Sequence, residues 1–243
     1  MENAVTAGLA RQIVLARALE TTANNIANQT TAGFKAERVE FREYLARLPG
    51  AASGDPLVSL VYDPDSYTDF STGGFDATYN DLDFAIEGEG FFGVETDAGL
   101  RYTRDGRFST NDAGELVTRS GARVLDGGGA PILIDPEAGP LLLSNDGALQ
   151  QQGTTIATLG VFRFAELQAL EKRGDNLFET AAEPDSVQSP RIRQGFVETS
   201  NVVSISAITD MIEIMRAYEQ AAQLIETSSE LSRETVRTLS DAA

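Results

Sequence analysis

Hydrophobic residues recur at heptad spacing near both ends of the chain. At the amino end, Gln12 is the one polar break in the a and d series, and Ile13 lies beside it. The apolar members of that series are Val5, Leu9, Ala16, Leu19, Ala23 and Ile26. This spacing is typical of a helix that packs against another helix. Because polar residues follow and Gly33 supplies a stop, the pattern predicts about 24 helical residues, roughly 36 Å in length.

The carboxy-terminal end repeats this pattern over a longer stretch. Its a and d positions are Ile208, Met211, Met215, Tyr218, Ala222 and Ile225. Two serines interrupt the series before Val236 and Leu239 resume it. Because neither Pro nor Gly occurs after Gly195, the pattern predicts an unbroken helix over residues 205–239.

The two predicted helices are expected to pair with each other as a coiled coil. Ile205, Ile212 and Ile214 flank the carboxy-terminal series, so its apolar stripe is wider than one partner helix would bury. Because helices gain most of their stability from packing, neighbouring copies of the chain are the natural partners for the remaining surface. An intramolecular stalk or an ordinary coiled-coil dimer would satisfy the same pattern.

Between the helices, short apolar runs alternate with turn-forming residues. The predicted strands cover residues 84–86, 91–94, 116–118, 132–134, 141–143 and 158–164. Asp105 and Gly106 predict a hairpin, and residues 165–172 a short helix. The predicted fold class is α+β, with a mainly-β central domain flanked by long amino- and carboxy-terminal helices. Its parts are residues 1–48 (first helix and start of a connector), 49–74 (irregular connector), 75–195 (β domain) and 196–243 (second helix).

The amino-acid composition excludes most common classes of enzyme mechanism. The 243 residues include no His, Cys or Trp, which excludes a Ser-His-Asp triad, a Cys nucleophile and a conventional zinc site. The net charge of −18 argues against a nucleic-acid partner, and no apolar run is long enough to predict insertion into a membrane. Residues 61–200 carry ten basic and twenty-four acidic side chains, whereas residues 1–60 carry six of each. The ends are therefore the more plausible surfaces for self-association.

Three motifs suggest other chemistry. Residues 88–93 fit G-x-G-x-x-G, but a strand rather than a helix is predicted to follow, and a dinucleotide site needs the helix. The carboxylate pairs are Asp63/Asp65, Asp81/Asp83 and Glu87/Glu89, which leave a hydrolase of periplasmic glycan as the enzyme alternative. A calcium site at Asp63, Asp65 and Ser66 lacks a complete loop pattern. The sequence predicts no catalytic residue, cofactor or metal.

Several blocks of the sequence match a known family. Residues 23–28 read A-N-N-I-A-N, and residues 31–35 read T-A-G-F-K. Further matching blocks are L-D-F-A-I-E-G-E-G-F-F at 82–92, Y-T-R-D-G-R-F at 102–108, G-F-V-E-T-S-N-V at 195–202, M-I at 211–212 and R-A-Y-E at 216–219. In this order they resemble the flagellar rod and hook proteins of bacteria. The resemblance covers most of the chain.

The resemblance implies a structural subunit of the flagellar basal-body rod, the drive shaft that links the motor to the hook. Members are exported through the flagellar export apparatus without a cleaved signal peptide. They polymerise in the periplasmic space with copies of themselves and with other rod proteins. Their terminal helices form the rod core. The residues expected at the assembly interface are Leu9, Ile13, Leu19, Asn24, Asn25, Ile26, Asn28, Ile208, Met211, Met215, Tyr218 and Ile225. The three asparagines are expected to order the turn after the first helix.

Within the family, the length and the single β domain are most similar to proximal rod proteins. Distal rod proteins share the plan and are the alternative. The sequence departs from the family pattern at residues 78–81, which read T-Y-N-D where T-G-N-P is common, and at 196–198, where Leu often precedes Glu. These departures bear on the choice between the two rod types.

Overall fold

The computed structural model describes residues 2–46, 58–144 and 146–241. The chain forms two compact units. Unit 1 comprises Met1–Ala27, Glu37–Asp69 and Val203–Ala243, and unit 2 comprises Asn28–Ala36 and Phe70–Val202. Each unit is therefore assembled from segments that lie far apart in the sequence.

Unit 1 contains two helices and a hairpin. Helix α1 spans Glu2–Ala27 and helix α2 spans Ser204–Asp241. Strands β1 (Glu37–Ala46) and β2 (Val58–Thr68) pair antiparallel. In the part of the chain that the structure describes, neither helix is long and apolar enough to cross a membrane.

The predicted coiled coil is wrong. Leu9 in α1 is 52% exposed, and Ile208 and Met215 in α2 are 47% and 44% exposed, although the coiled-coil series would bury all three. Among the side chains of α1 that the structure describes, the buried ones are instead Val14, Leu15 and Ala18. Helix α1 contacts β1 and β2 as well as α2, and a helix with several neighbours buries a wider face than a single a/d seam.

The buried stripe of α2 is also rotated relative to the prediction. Met211, Tyr218 and Ile225 are half-buried, but Ala221 is 3% exposed and lies one position before the predicted Ala222. At Gly8 of α1, an added Cβ would lie 2.8 Å from Cγ1 of Ile225. The absence of a side chain at Gly8 therefore allows Ile225 to approach the backbone of α1 closely.

The hairpin replaces part of the predicted irregular connector. Strand β2 includes Asp63 and Pro64, which favour irregular structure. The β1–β2 pairing shifts in register opposite these two residues, between Glu40 and Arg42 of β1. A β-bulge accommodates a proline because the ladder bond is already absent there. Residues 47–57 of the connector, which include the predicted boundary at 48/49, lie outside the described residues.

Unit 2 is built from short strands. In chain order they are β3 (Phe75–Ala77), β4 (Phe84–Ile86), β5 (Phe91–Thr96), β6 (Gly99–Thr103), β7 (Phe108–Thr110), β8 (Leu116–Thr118), β9 (Arg123–Val124), β10 (Leu142–Leu143), β11 (Ala148–Gln151), β12 (Thr154–Thr158), β13 (Val161–Arg163), β14 (Glu171–Arg173), β15 (Leu177–Glu179), β16 (Asp185–Ser186), β17 (Ile192–Gln194) and β18 (Phe196–Glu198). A 3₁₀ turn at Leu167–Ala169 and strand β14 replace the short helix predicted over 165–172. The mainly-β middle agrees with the sequence prediction.

The largest sheet has the strand order β14-β15-β6-β5-β9-β8-β7, with β13 joining β5 to β16. A three-stranded sheet β10-β11-β12 and the pairs β17-β4 and β18-β3 complete the unit. The hairpin predicted at Asp105 and Gly106 is wrong, because β6 pairs with β5 and β15 while β7 pairs with β8. Gly106 instead approaches β4, and an added Cβ would lie 1.7 Å from the carbonyl oxygen of Phe84.

Two apolar clusters form the core of unit 2. The completely or almost completely buried members of the larger cluster include Phe84, Ile86, Phe92, Val94, Leu116, Val124, Ile132, Leu149, Leu159 and Val161. The smaller cluster is mainly aromatic and contains Phe91, Tyr102, Phe162, Phe164, Leu170 and Phe178. In it, the rings of Tyr102 and Phe164 meet edge to face with their centroids 4.7 Å apart.

Burial of Tyr102 predicts a loss of stability at alkaline pH. Desolvation raises the pKa of its phenol, so the folded chain keeps this proton at a pH where the unfolded chain has lost it. The contribution is fully present below about pH 10 and is lost as the pH rises through the folded pKa. We expect Tyr102→Phe to reduce the fall in unfolding free energy above pH 10, measured by urea titration at several pH values. The same alkaline fall in both proteins would contradict this assignment.

Candidate assembly surface and buried ion cluster

Unit 1 leaves large apolar side chains exposed on its helices. Those in or next to α1 and α2 are Leu9, Ile13, Val203, Ile205, Ile208, Ile212, Met215, Leu224 and Leu231. Four of them, Ile205, Ile208, Ile212 and Met215, follow one another at spacings of three and four residues and therefore lie on one face of α2. We call this face the α2 ridge. Its side chains are between 44% and 81% exposed, so their burial against another surface would be favourable.

The predicted interface residues fall into two groups. Leu9, Ile13, Ile208 and Met215 are exposed and available for contact. Leu19, Ile26, Met211, Tyr218 and Ile225 are half-buried within unit 1. The side chains of Val5, Val236 and Leu239, from the predicted heptad series, lie outside the described residues.

The three predicted asparagines have different surroundings. Asn25 makes two hydrogen bonds with the backbone of Glu37, donating from Nδ2 to the carbonyl oxygen at 2.7 Å and accepting from the amide at 2.9 Å. These bonds fix the start of β1. In unit 2, the backbone oxygen of Asn28 accepts from the amide of Thr31 at 3.1 Å and so closes a turn. Asn24 is exposed.

Residues 28–36 form a segment of unit 2 that begins with turns at 28–33 and has no regular structure at 34–36. We call this segment the strap. The amide of Gly33 donates to the carbonyl oxygen of Glu198 at 2.8 Å, and the amide of Ala36 donates to Oδ1 of Asn201 at 2.8 Å. Nδ2 of Asn176 donates to the carbonyl oxygen of Ala32 at 3.0 Å. The strap is therefore fixed to residues from the carboxy-terminal part of the unit.

A buried ion cluster lies beside the strap. Nζ of Lys35 lies 2.6 Å from Oε1 of Glu198, and Nη1 of Arg104 lies 3.1 Å from Oε2. The side chains of Lys35 and Glu198 are each 1% exposed. The amide of Gly73 also donates to Oε1 of Glu198, at 3.0 Å. This carboxylate thus accepts hydrogen bonds from three donors on three separate segments of the chain.

Both cations also donate hydrogen bonds to backbone carbonyl oxygens. Nζ of Lys35 donates to the oxygen of Ser71 at 2.8 Å, and Nη2 of Arg104 donates to the oxygen of Gly88 at 2.7 Å. Desolvation lowers the pKa of Arg104, and the charge of Glu198 opposes that shift. Among the described residues, Nε of Arg104 has no hydrogen-bond partner, while its Cζ lies 5.2 Å from the ring centre of Phe91.

Local sequence patterns do not predict this cluster, although Lys35, Arg104 and Glu198 all lie in blocks that match the family. Lys35, Arg104 and Glu198 each appear as a charged letter in a different family block. The available signal was the presence of charged residues in these blocks, and the block at 102–108 contains Asp105 and Arg107 besides Arg104. Spacing could not pair them, because Lys35 and Glu198 are 163 positions apart.

The carboxylates considered for hydrolysis have structural contacts. Asp83 is buried and its Oδ1 accepts from Asn80 at 3.0 Å. Glu87 forms an ion pair of 3.5 Å with Arg193. The side chains of Asp63 and Asp65, which the calcium hypothesis needs, lie outside the described residues.

Close approach at Gly33 gives a test of the strap. Its φ is +67°, and an added Cβ would lie 2.3 Å from the amide nitrogen of Asp105. Gly153 has a similar φ of +77° but no atom within 4 Å of such a Cβ, which makes it a matched control. We expect Gly153→Ala to lower the unfolding free energy by about 1 kcal/mol through backbone strain. Gly33→Ala should lower it by roughly 3 kcal/mol or more, since backbone must also move. Urea unfolding of both variants measures the difference, and equal losses would contradict the close packing of the strap.

Comparison with known proteins identifies the family. Residues 2–35 match the domain described as flagella basal body rod protein, residues 85–151 the flagellar hook protein FlgE/F/G D1 domain, and residues 193–238 the flagellar basal body rod FlgEFG protein C-terminal domain. Lys35, Arg104 and Glu198 fall in these three matches, one in each. The chain belongs to the flagellar rod and hook protein family, and it is a structural subunit of the basal-body rod.

Relatives that match over almost the whole chain distinguish between the two types of rod protein. The chain is 43% identical over 241 residues to the basal-body rod protein FlgF of Caulobacter vibrioides, which covers 98% of both chains. It is 36% identical to FlgF of Mesorhizobium japonicum, again with 98% of both chains covered. The rod protein FlgG of Bacillus subtilis is 31% identical, with 90% of this chain and 92% of that protein covered. The similarity is therefore to FlgF over the whole chain, with FlgG as the weaker alternative.

Proposed function

We propose that the chain is a non-catalytic subunit of the proximal rod and polymerises through its helices. The observation that carries this proposal is the α2 ridge, since a row of exposed Ile and Met side chains gains free energy when a neighbouring subunit covers it. The partners are copies of this chain and other subunits of the proximal and distal rod. Greater identity to FlgF than to FlgG supports the proximal position.

The assembly interface is proposed to include the twelve residues named from the sequence. Leu9, Ile13, Ile208 and Met215 are proposed to touch neighbouring subunits directly, because they are exposed. The half-buried members are proposed to hold the helices in position for those contacts. Asn25 is proposed to act through the start of β1, which it binds at both backbone atoms.

The proposed location is the rod within the periplasmic space, reached through the flagellar export apparatus without a cleaved signal peptide. Membership of the rod family supports this proposal. The absence of catalysis is supported by the lack of His and Cys and by the contacts of Asp83 and Glu87 within unit 2.

Charge substitution on the α2 ridge tests polymerisation. We expect Ile208→Asp and Met215→Asp each to abolish swimming, because a buried unpaired carboxylate is strongly unfavourable at a subunit contact. The measurement is motility in soft agar of a strain that carries only the variant gene. The free energy of unfolding of each purified variant, measured by urea titration, should differ from that of the wild type by less than about 0.5 kcal/mol. Both side chains are exposed in the single chain.

Leu133→Asp provides the matched control. Leu133 is 63% exposed but belongs to unit 2 rather than to either helix, so this variant should swim normally. Normal swimming of both ridge variants would contradict polymerisation through α2. Loss of swimming in all three would show that any added carboxylate is harmful, which also contradicts the proposal.

A further inference from the structure

The first and last segments of unit 2 depend on each other for their bonding. Strand β4 forms its ladder with β17, and β3 forms its ladder with β18. The strap bonds to Glu198 and Asn201. We call residues 192–202 the closing segment, because they supply the ladder partners of β3 and β4 and hydrogen-bond acceptors for the strap.

The ion cluster connects the same parts of the chain. Glu198 belongs to the closing segment, Lys35 to the strap, and Arg104 follows β6. The ion pairs join residues that are 163 and 94 positions apart. A contact of such separation forms late unless other contacts bring the segments together.

We propose that the ion cluster makes closure of unit 2 conditional on the closing segment. Before Glu198 arrives, Lys35 and Arg104 are two cations that cannot be buried together, because an unpaired charge is costly away from water. The strap and β4 then remain accessible to water. When Glu198 enters, its carboxylate pairs with both cations, and the strap, β3 and β4 gain their backbone partners in the same step.

This mechanism keeps unit 2 open while the chain emerges, amino end first, from the ribosome or from an export channel. The strap, β3 and β4 all precede residue 90, whereas the strands that form ladders with β3 and β4, and the strap's partners Glu198 and Asn201, follow residue 190. The apolar β4, with exposures of 0%, 0% and 2%, is therefore made long before it can be covered by β17. For passage through an export channel, a consequence that rests on the proposed function, a unit that stays open until its last residues emerge is an advantage.

The electrostatics predict unequal effects of substitution. Glu198→Gln leaves two buried cations without an anion, whereas Lys35→Met leaves the Arg104–Glu198 pair in balance. We expect Glu198→Gln to lower the folding equilibrium constant roughly a hundredfold or more, and Lys35→Met by a smaller factor. In the double variant, Lys35→Met should restore part of the loss, since it removes one uncompensated charge. Glu95→Gln, which breaks an exposed pair with Arg123, should have little effect.

The experiment uses the full-length protein. Urea unfolding of the four variants gives the equilibrium constants, and pulse-labelling hydrogen exchange during refolding of the wild type gives the order of events. The amides of Gly33, Ala36 and Glu87 donate to Glu198, Asn201 and Arg191, and we expect them to become protected with the same rate constant as amides 192–198. Protection of these three amides before the closing segment would overturn the proposal, and so would a Glu198→Gln effect no larger than that of Lys35→Met. If Glu198→Gln does not fold, the wild-type labelling order and the double variant still decide the question.

Discussion

The carboxylate of Glu198 is the group on which the organisation of unit 2 depends. A charge that is 1% exposed is tolerated only with partners, and this one has Lys35, Arg104 and the amide of Gly73. Each partner comes from a different part of the chain, so the pairing fixes where the strap, the segment around Gly73 and the end of β6 must lie. Backbone bonds from Gly33 and Ala36 add to the same junction. A β unit made of short strands thus gains a specific connection between its two ends.

The two units differ in how far they bury their apolar side chains, and this difference is relevant to the proposed assembly. Unit 2 covers its aromatic and aliphatic residues itself and binds its buried cations to carbonyl oxygens. Unit 1 leaves Ile205, Ile208 and Ile212 in water. Burying such side chains is the main driving force for protein association, so the exposed apolar surface of unit 1 is the part of the chain that the proposed polymerisation would cover. A subunit with these two units combines a core of its own with a surface that a neighbour can cover.

The sequence predicted the element types better than their partners. Heptad spacing located both helices within a few residues, because periodicity is a local property of the chain. It did not identify the buried face, since Ile205, Ile212 and Ile214 flank the series and the buried residue among the described side chains of α2 is Ala221, which lies outside the series. Strand β4 was predicted over residues 84–86, but the hairpin at Asp105 and Gly106 was not formed, because Gly106 packs against Phe84. The ion cluster required contacts between residues 94 and 163 positions apart, and no local pattern encodes such a pairing.

The charge distribution adds a constraint that the apolar residues alone do not impose. Residues 61–200, most of which form unit 2, carry twenty-four acidic and only ten basic side chains, and several arginines there already pair with Glu95, Glu171 or Glu179. Two such surfaces repel each other within the screening distance of about 8 Å at physiological salt. Residues 1–60, with six charges of each sign, carry no such penalty, whereas residues 201–243 carry three basic and seven acidic side chains. Close contact between copies is therefore least opposed along α1, where Leu9 and Ile13 are exposed, and there both effects favour subunit contacts.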